Sequence, residues 1–152
     1  MTQRSATHAT FAIERVYPHE IARVFRAFAD PAAKKKWFAP PQEGQLDRHS
    51  MDFRVGGREV NGGGMHGGHV YVYTAVYQDI VPDERIVYSY DMTMDDVRIS
   101  VSVATLEFRP QGAGTRLLLT EQGVFLDGHD NPEQRERGTK GLLEMLGRSL
   151  AN

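Results

Sequence analysis

The sequence predicts an α+β fold in which a curved antiparallel sheet wraps around a long C-terminal helix, with two short helices after the first strand. The main observation is a series of β-rich runs joined by short connections: His69 to Val81, Arg85 to Met92, Arg98 to Arg109 and Thr115 to Val124. Parallel strands would need long crossovers, so these runs are expected to form an antiparallel meander. Helical apolar spacing appears only near the start and at the end of the chain.

The first strand and the two short helices are expected between residues 11 and 38. Phe11 to Tyr17 mixes β-branched and aromatic residues with polar ones and predicts a strand. Pro18 suits the first turn of a helix. The apolar stripe of that helix follows the spacing i, i+3, i+4 and i+7: Ile21, Val24, Phe25 and Phe28. Asp30 is expected to cap a second short helix that begins at Pro31 and ends near Trp37.

Residues 42 to 68 are rich in glycine and predict short strands separated by turns and bulges. No Lys-Ser/Thr pair and no helix start follow these glycines, so a phosphate-binding loop is not favoured. The last helix is expected after the start signal Asp130-Asn131-Pro132. Its apolar face would hold Leu142, Met145, Leu146 and Leu150, with Leu143 beside them. Three glycines weaken this helix, so it must gain its stability by packing on the sheet.

Composition narrows the functional classes. The 152 residues suit one domain spanning 1–152, and the net charge of −2 without a basic stripe does not favour nucleic acid or an anionic membrane surface. The chain contains no cysteine, which excludes disulfides, thiolate metal sites and cysteine nucleophiles. No stretch approaches the roughly 20 apolar residues of a membrane span, and the polar start lacks a signal peptide, so a cytoplasmic location is expected. The run Lys34-Lys35-Lys36 is interpreted as a solvated helix end.

A twisted sheet curls, and one long helix cannot fill the concavity of a large sheet, so a cavity suited to a small molecule is expected. In the last strand, a period of two places Thr115, Leu117, Leu119 and Glu121 on one face. Glu121 is therefore predicted to point into the cavity, where desolvation would raise the pKa of its carboxyl group. The alternative is that Glu121 is solvated at the open strand end or pairs with an arginine.

The histidines suggest a metal site as another alternative. His66 and His69 lie three residues apart, with His49 and Glu59 upstream, and zinc could use such groups. The spacing is not a recognised metal motif, however, so a loop is favoured and no metal or cofactor is predicted.

Several segments resemble one known family over nearly the whole chain. They are Ile13 to Pro31, Trp37, the segment Asp52-Phe-Arg-Val-Gly-Gly-Arg58, the segment Ile80 to Tyr90, and the pair Thr105 to Phe108 with Gly114 to Thr120. In order and spacing they are similar to the START-like helix-grip (SRPBCC) superfamily, specifically to the C-terminal domain family of the activator of heat-shock-protein-90 ATPase. The family often has Gly-Trp early in the last helix, where this chain has Gly141-Leu142.

The resemblance implies a helix-grip fold and leaves function open, because members bind lipids, hormones and polyketides, act as cyclases or aromatases, or assist chaperones. We expect a non-enzymatic carrier or sensor of a small apolar or aromatic ligand. The predicted ligand-binding residues are Trp37, Phe53, Tyr88, Tyr90, Ala104, Leu106, Leu119, Glu121, Leu142, Met145 and Leu146. The alternatives are a cyclase- or aromatase-like enzyme using the same cavity, and a chaperone-cofactor module of the stress response that acts through its surface. A homodimer and a chaperone partner both stay open.

Overall fold

The computed structural model describes residues 3–38, 48–66 and 68–151, with the backbone alone for residues 63–66. In these ranges the chain forms seven strands and three helices. They are β1 (Ala6–Tyr17), α1 (Ile21–Ala29), α2 (Pro31–Lys35), β2 (Arg48–Met51), β3 (Arg58–His66), β4 (His69–Val81), β5 (Arg85–Met94), β6 (Val97–Gln111), β7 (Gly114–Leu126) and α3 (Pro132–Leu150).

The strands form one curved antiparallel sheet in the order β1-β7-β6-β5-β4-β3-β2. The predicted fold class, with two short helices after the first strand and a long C-terminal helix, is confirmed. Strands β2 to β7 form a meander of sequential neighbours, and the first strand pairs with the last, with Phe11 opposite Glu121. Because every strand pairs with its neighbours in antiparallel register, side chains alternate between a concave face and an outer face.

The first helix begins three residues later than predicted. Tyr17 is still paired with Thr115 in the sheet, and the Thr115 hydroxyl donates to the His19 carbonyl oxygen at 2.7 Å, so Pro18 and His19 belong to the connection. Glu20 therefore precedes the helix. The predicted cap of α2 is confirmed, because a side-chain oxygen of Asp30 accepts from the Ala32 N–H at 3.1 Å.

Helix α3 begins at Pro132 as predicted, and the Asn131 side chain accepts from the Gln134 N–H at 2.8 Å. The predicted apolar face is partly wrong. The buried residues of α3 are Leu143, Leu146 and Leu150, whereas Met145 is 37% exposed. Leu143, Leu146 and Leu150 follow the spacing i, i+3 and i+7, which places Met145 outside that stripe.

The main core lies where α1, α2 and α3 cover the concave face. Aromatic rings meet there edge to face, with centroids 5.3 Å apart for Phe25 and Phe108 and 4.9 Å apart for Phe28 and Trp37. A second, smaller buried cluster lies on β4 and β5 and contains Tyr73, Ala75 and Tyr90. The interior next to this second cluster holds the cavity described below. No helix within the described ranges is both long and apolar enough to span a membrane.

Candidate ligand cavity

A cavity of about 450 Å³ lies between the concave face of the sheet and helices α2 and α3. This volume falls in the range of small-molecule sites, roughly 300 to 1,000 Å³. Seven of its lining residues are aromatic: Phe28, Trp37, Phe38, Tyr71, Tyr73, Tyr88 and Tyr90. The others are Lys34, Met92, Leu119, Glu121, His129, Asp130, Gln134, Arg135, Gly138, Thr139, Leu142 and Leu143. The predicted space between helix and sheet is therefore present.

Small residues of β6 and β7 lie beside Tyr90 and Glu121 on the concave face. Tyr90 faces Ser102 across β5 and β6, and Ser102 faces Gly123 across β6 and β7. One step along the sheet, Ala104 lies opposite Glu121. Small side chains thus alternate with large ones on the concave face, and β6 contributes nothing bulky between Tyr90 and Glu121. A Cβ at Gly123 would lie 2.5 Å from the Ser102 hydroxyl oxygen, so this close approach of strands requires glycine.

One end of the cavity carries a hydrogen-bonded set that we call the Glu121 cluster: Glu121, Tyr90, Arg135, Asp130 and Ser100. The Tyr90 hydroxyl donates to Glu121 Oε2 at 2.7 Å and accepts from Arg135 Nη1 at 2.9 Å. Arg135 Nη2 donates to Ser100 Oγ at 2.7 Å and to Asp130 Oδ2 at 2.8 Å. Strands β5, β6 and β7 and the start of α3 are therefore connected through one guanidinium group, which is the residue type suited to several simultaneous hydrogen bonds.

The protonation of the Glu121 cluster follows from its burial. Glu121 is 3% exposed, and desolvation raises the pKa of its carboxyl group, an effect opposed by the Tyr90 hydrogen bond and the Arg135 charge. Desolvation also raises the pKa of Tyr90. Tyr90 is therefore a neutral donor at ordinary pH. The predicted inward placement of Glu121 is confirmed, and so is pairing with an arginine, since Arg135 Nη1 lies 3.9 Å from Oε2.

A second set, the Lys34 cluster, consists of Lys34, Glu59 and Tyr77. Lys34 Nζ donates to Glu59 Oε1 at 2.6 Å, and the Tyr77 hydroxyl donates to the same oxygen at 2.6 Å. Lys34 is 4% exposed and Glu59 is fully buried. Desolvation lowers the pKa of the Lys34 amine, and the nearby Glu59 carboxylate opposes this shift.

The interpretation of Lys34 as part of a solvated helix end is wrong. Lys34 shares one helical face with Trp37 and Phe38, at i+3 and i+4, and both aromatic residues pack inward. That spacing was the available signal. The Lys34 ammonium lies 4.6 Å from the centroid of the Phe38 ring, which is favourable for a desolvated cation.

Aromatic rings form a continuous wall between the two clusters. The ring centroids of Phe38 and Tyr73 are 5.1 Å apart, and those of Tyr73 and Tyr90 are 4.9 Å apart. The guanidinium carbon of Arg135 lies 5.6 Å from the centroid of Tyr90. A flat apolar molecule could therefore contact several rings while its polar substituents meet a carboxylate at one end or an ammonium at the other.

The structure brings six of the predicted ligand-binding residues to the cavity: Trp37, Tyr88, Tyr90, Leu119, Glu121 and Leu142. Phe53, Ala104, Leu106 and Leu146 lie in the packed interior away from its lining, and Met145 faces outward. Their roles in ligand binding stay predictions. Arg135 was not predicted, although it precedes Thr139 and Leu142 by four and seven residues and therefore shares their face of α3.

The residues suggested for a metal site do not form a cluster within the described part of the chain. Glu59 is bonded to Lys34 and Tyr77, and the exposed His69 Nδ1 lies 2.6 Å from Asp95 Oδ2. The His66 side chain lies outside the described residues. Among the side chains that are described, no group of three or more His, Asp or Glu residues is arranged to hold a metal ion.

Comparison with known proteins identifies a family for this chain and supports the fold described above. The model of the family described as "Activator of Hsp90 ATPase homolog 1-like protein" matches residues 18–152. The chain belongs to this family. It is similar to a solved uncharacterized protein of Rhizobium leguminosarum, with 45% identity, a TM-score of 0.93 and 99% of each chain covered.

Two further solved structures are similar to this family member. Mll3558 of Rhizobium loti is 48% identical, with a TM-score of 0.88, over 95% of this chain and 99% of that one. CV1439 of Chromobacterium violaceum is 28% identical, with a TM-score of 0.77, over 94% and 97% of the two chains. No curated protein matches the chain.

Proposed function

We propose that this protein binds a small, flat, largely apolar molecule in the cavity and acts as its carrier or sensor. The observation that carries the proposal is the lining itself, in which seven aromatic rings are combined with two polar groups held in place, Glu121 at one end and Lys34 at the other. Small-molecule sites commonly combine apolar walls with a few placed polar groups. A cavity filled only with water would leave those rings without apolar contact, which favours an organic guest.

The Glu121 cluster indicates what the ligand should carry. Tyr90 and Arg135 hold the Glu121 carboxyl group in place, so it needs no reorganisation to accept a hydrogen bond. A ligand hydroxyl group that reaches Glu121 would form an additional bond to a preorganised acceptor, whereas an unsubstituted hydrocarbon could not donate to it. A phenol is therefore a better ligand than the corresponding arene.

A test by occlusion uses two glycines of α3. Ideal Cβ atoms at Gly138 and Gly141 both meet nothing within 4 Å, but only Gly138 lines the cavity. Gly138→Phe should place a ring in the cavity, and Gly141→Phe is the matched control on the same helix. Binding of naphthol is followed by its fluorescence. We expect Gly138→Phe to weaken binding by about tenfold or more, the equivalent of roughly 1.4 kcal/mol, and Gly141→Phe to leave it unchanged.

The occlusion test contradicts the proposal if Gly138→Phe binds naphthol as tightly as the unmodified protein does. A second comparison examines the polar contact. Replacing Glu121 with leucine should reduce the affinity for naphthol but not for naphthalene, because only naphthol can donate to the carboxylate. Equal losses for both ligands would remove Glu121 from ligand recognition while leaving the cavity in place.

One observation favours an enzyme as the second candidate. Glu121 combines burial, a raised carboxyl pKa and a neutral Tyr90 hydroxyl within 2.7 Å, which is an arrangement suited to general acid–base chemistry on a bound ring. The two candidates differ in what happens to a molecule captured with the protein. Native mass spectrometry would identify a co-purified molecule, and its conversion by the unmodified protein but not by Glu121→Gln would favour the enzyme.

A further inference from the structure

We propose that Lys34 captures aromatic aldehydes or ketones in the cavity as an imine, with Glu59 handling the proton. This proposal rests on the proposed function, because the carbonyl compound must enter the same cavity. It adds a reversible covalent step that ligand binding alone does not require.

The position of Lys34 sets it apart from the other lysines. The chain has four, at positions 34, 35, 36 and 140, and Lys34 is the one that is buried and lines the cavity. It is held there by the short bond to Glu59 and by the Phe38 ring. An aromatic compound lying along the wall of Phe38 and Tyr73 would bring a carbonyl substituent to the amine at the end of that wall.

Glu59 supplies the second requirement, a group that can take the proton of the ammonium. Its Oε1 accepts from Lys34 and Tyr77, while its Oε2 is buried and has no hydrogen-bond partner among the described residues. A buried carboxylate oxygen without a partner is costly unless it has a role or a guest. It could receive a proton while the other oxygen keeps its two bonds.

The environment also favours the reactive form of Lys34. Desolvation lowers the pKa of the amine, which increases the share of neutral nucleophile. Lysines that form imines with carbonyl substrates are commonly activated in this way, by desolvation in an apolar pocket.

The chemistry balances without any oxidant or reductant. The Lys34 ammonium gives a proton to Glu59, and the neutral amine nitrogen attacks the carbonyl carbon. One proton then moves from this nitrogen to the former carbonyl oxygen, which gives a carbinolamine. Glu59 returns the proton to the carbinolamine oxygen, which leaves as water while the nitrogen forms a double bond to carbon. The net change is an ammonium and a carbonyl converted to a protonated imine and one water, and hydrolysis reverses it.

The test uses naphthaldehyde and cyanoborohydride, which reduces an imine to a stable secondary amine. Peptide mapping by mass spectrometry then locates the adduct. We expect it on Lys34 and not on Lys35, Lys36, Lys140 or the N-terminal amine. Lys34→Arg keeps the charge next to Glu59 but has no amine that forms an imine, so the adduct should fall by about tenfold or more. Lys36→Arg, at the same helix end, is the matched control and should not change the yield.

The variant Glu59→Gln distinguishes a structural role of Glu59 from proton transfer. Glutamine keeps an acceptor for Tyr77 but cannot take the proton. We expect slower trapping by about tenfold, measured at saturating naphthaldehyde so that a change in affinity does not enter the rate. Labelling spread over the exposed lysines, or no adduct, would overturn the proposal. If naphthol binds and no adduct forms on Lys34, the covalent step alone fails, and if naphthol does not bind either, the proposed ligand cavity fails with it.

Discussion

Replacing Lys34 with methionine tests whether the Lys34 cluster is as buried as the structure shows. Methionine has a similar length but no charge, so Glu59, which is fully buried, would keep only the Tyr77 hydroxyl as a partner. Removing one partner of a buried ion pair typically costs about 3–5 kcal/mol, because the remaining charge is uncompensated. Since 1 kcal/mol corresponds to roughly 2–4 °C in Tm for a chain of this size, a decrease of about 6–20 °C is expected.

Urea denaturation followed by circular dichroism measures the free energy of unfolding for each variant. Lys36→Met is the matched control, because Lys36 is exposed at the same helix end and its replacement should change stability by less than about 0.5 kcal/mol. The double variant Lys34→Met with Glu59→Leu removes both charges and should recover much of the loss, leaving mainly the unpaired Tyr77 hydroxyl at about 1–3 kcal/mol.

The reasoning about the Lys34 cluster is refuted if Lys34→Met costs less than about 1 kcal/mol, since a surface ion pair would give that value. It is also refuted if the double variant is less stable than Lys34→Met. In that case the carboxylate of Glu59 would be stabilising on its own, and its burial would not explain the loss.

Two further predictions concern Glu121 and a pair of glycines, Gly123 in the sheet and Gly141 in α3. The pKa of the Glu121 carboxyl group is raised in the folded state, so the folded state binds this proton more tightly than the unfolded state does. The resulting contribution to stability is present at low pH. It is lost as pH rises from about 4.5 through the folded pKa. The stability of the unmodified protein relative to Glu121→Gln should therefore fall over that range in urea titrations, and a constant or rising difference would contradict the assigned environment. Gly123→Ala should destabilise by about 1–3 kcal/mol, because its Cβ would lie 2.5 Å from Ser102 Oγ and 2.9 Å from the Val101 carbonyl oxygen. Gly141→Ala, which meets nothing within 4 Å, should instead stabilise α3 by about 1 kcal/mol, and equal effects at the two glycines would show that the space around Gly123 is not restrictive.

Strand periodicity carried most of what could be predicted. The bounds of β4 agree with the sequence pattern at both ends, and the period of two in β7 placed Glu121 inward. The period of two could not distinguish residues that line the cavity from residues that are packed in the core. Ala104 and Leu106 lie on the correct face of β6, yet they are packed, because their exposure to the cavity depends on which neighbours are small and where the helices cross the sheet. Those are tertiary facts that no single strand encodes.

Charged residues were the harder case. In a short helix, a run of lysines indicates a solvated surface on composition alone, and the buried member is identified only by its spacing to inward aromatic residues. The partner of Lys34 is 25 residues away, on β3. Arg135 was equally hard, since its acceptors lie on β5, β6 and the loop before α3, and pairings between elements cannot be derived from local periodicity.

The positions of the two buried clusters connect stability with the cavity. The Lys34 cluster joins α2 to the inner face of β3 and β4, and the Glu121 cluster joins α3 to β5, β6 and β7. Both connections have members that line the cavity, Lys34 in one cluster and Glu121, Tyr90, Arg135 and Asp130 in the other. Replacing a buried ion pair with apolar residues is often neutral or stabilising, so stability alone does not account for either cluster. Contact with the polar substituents of a ligand would account for them, because Lys34 and Glu121 lie at opposite ends of the aromatic wall.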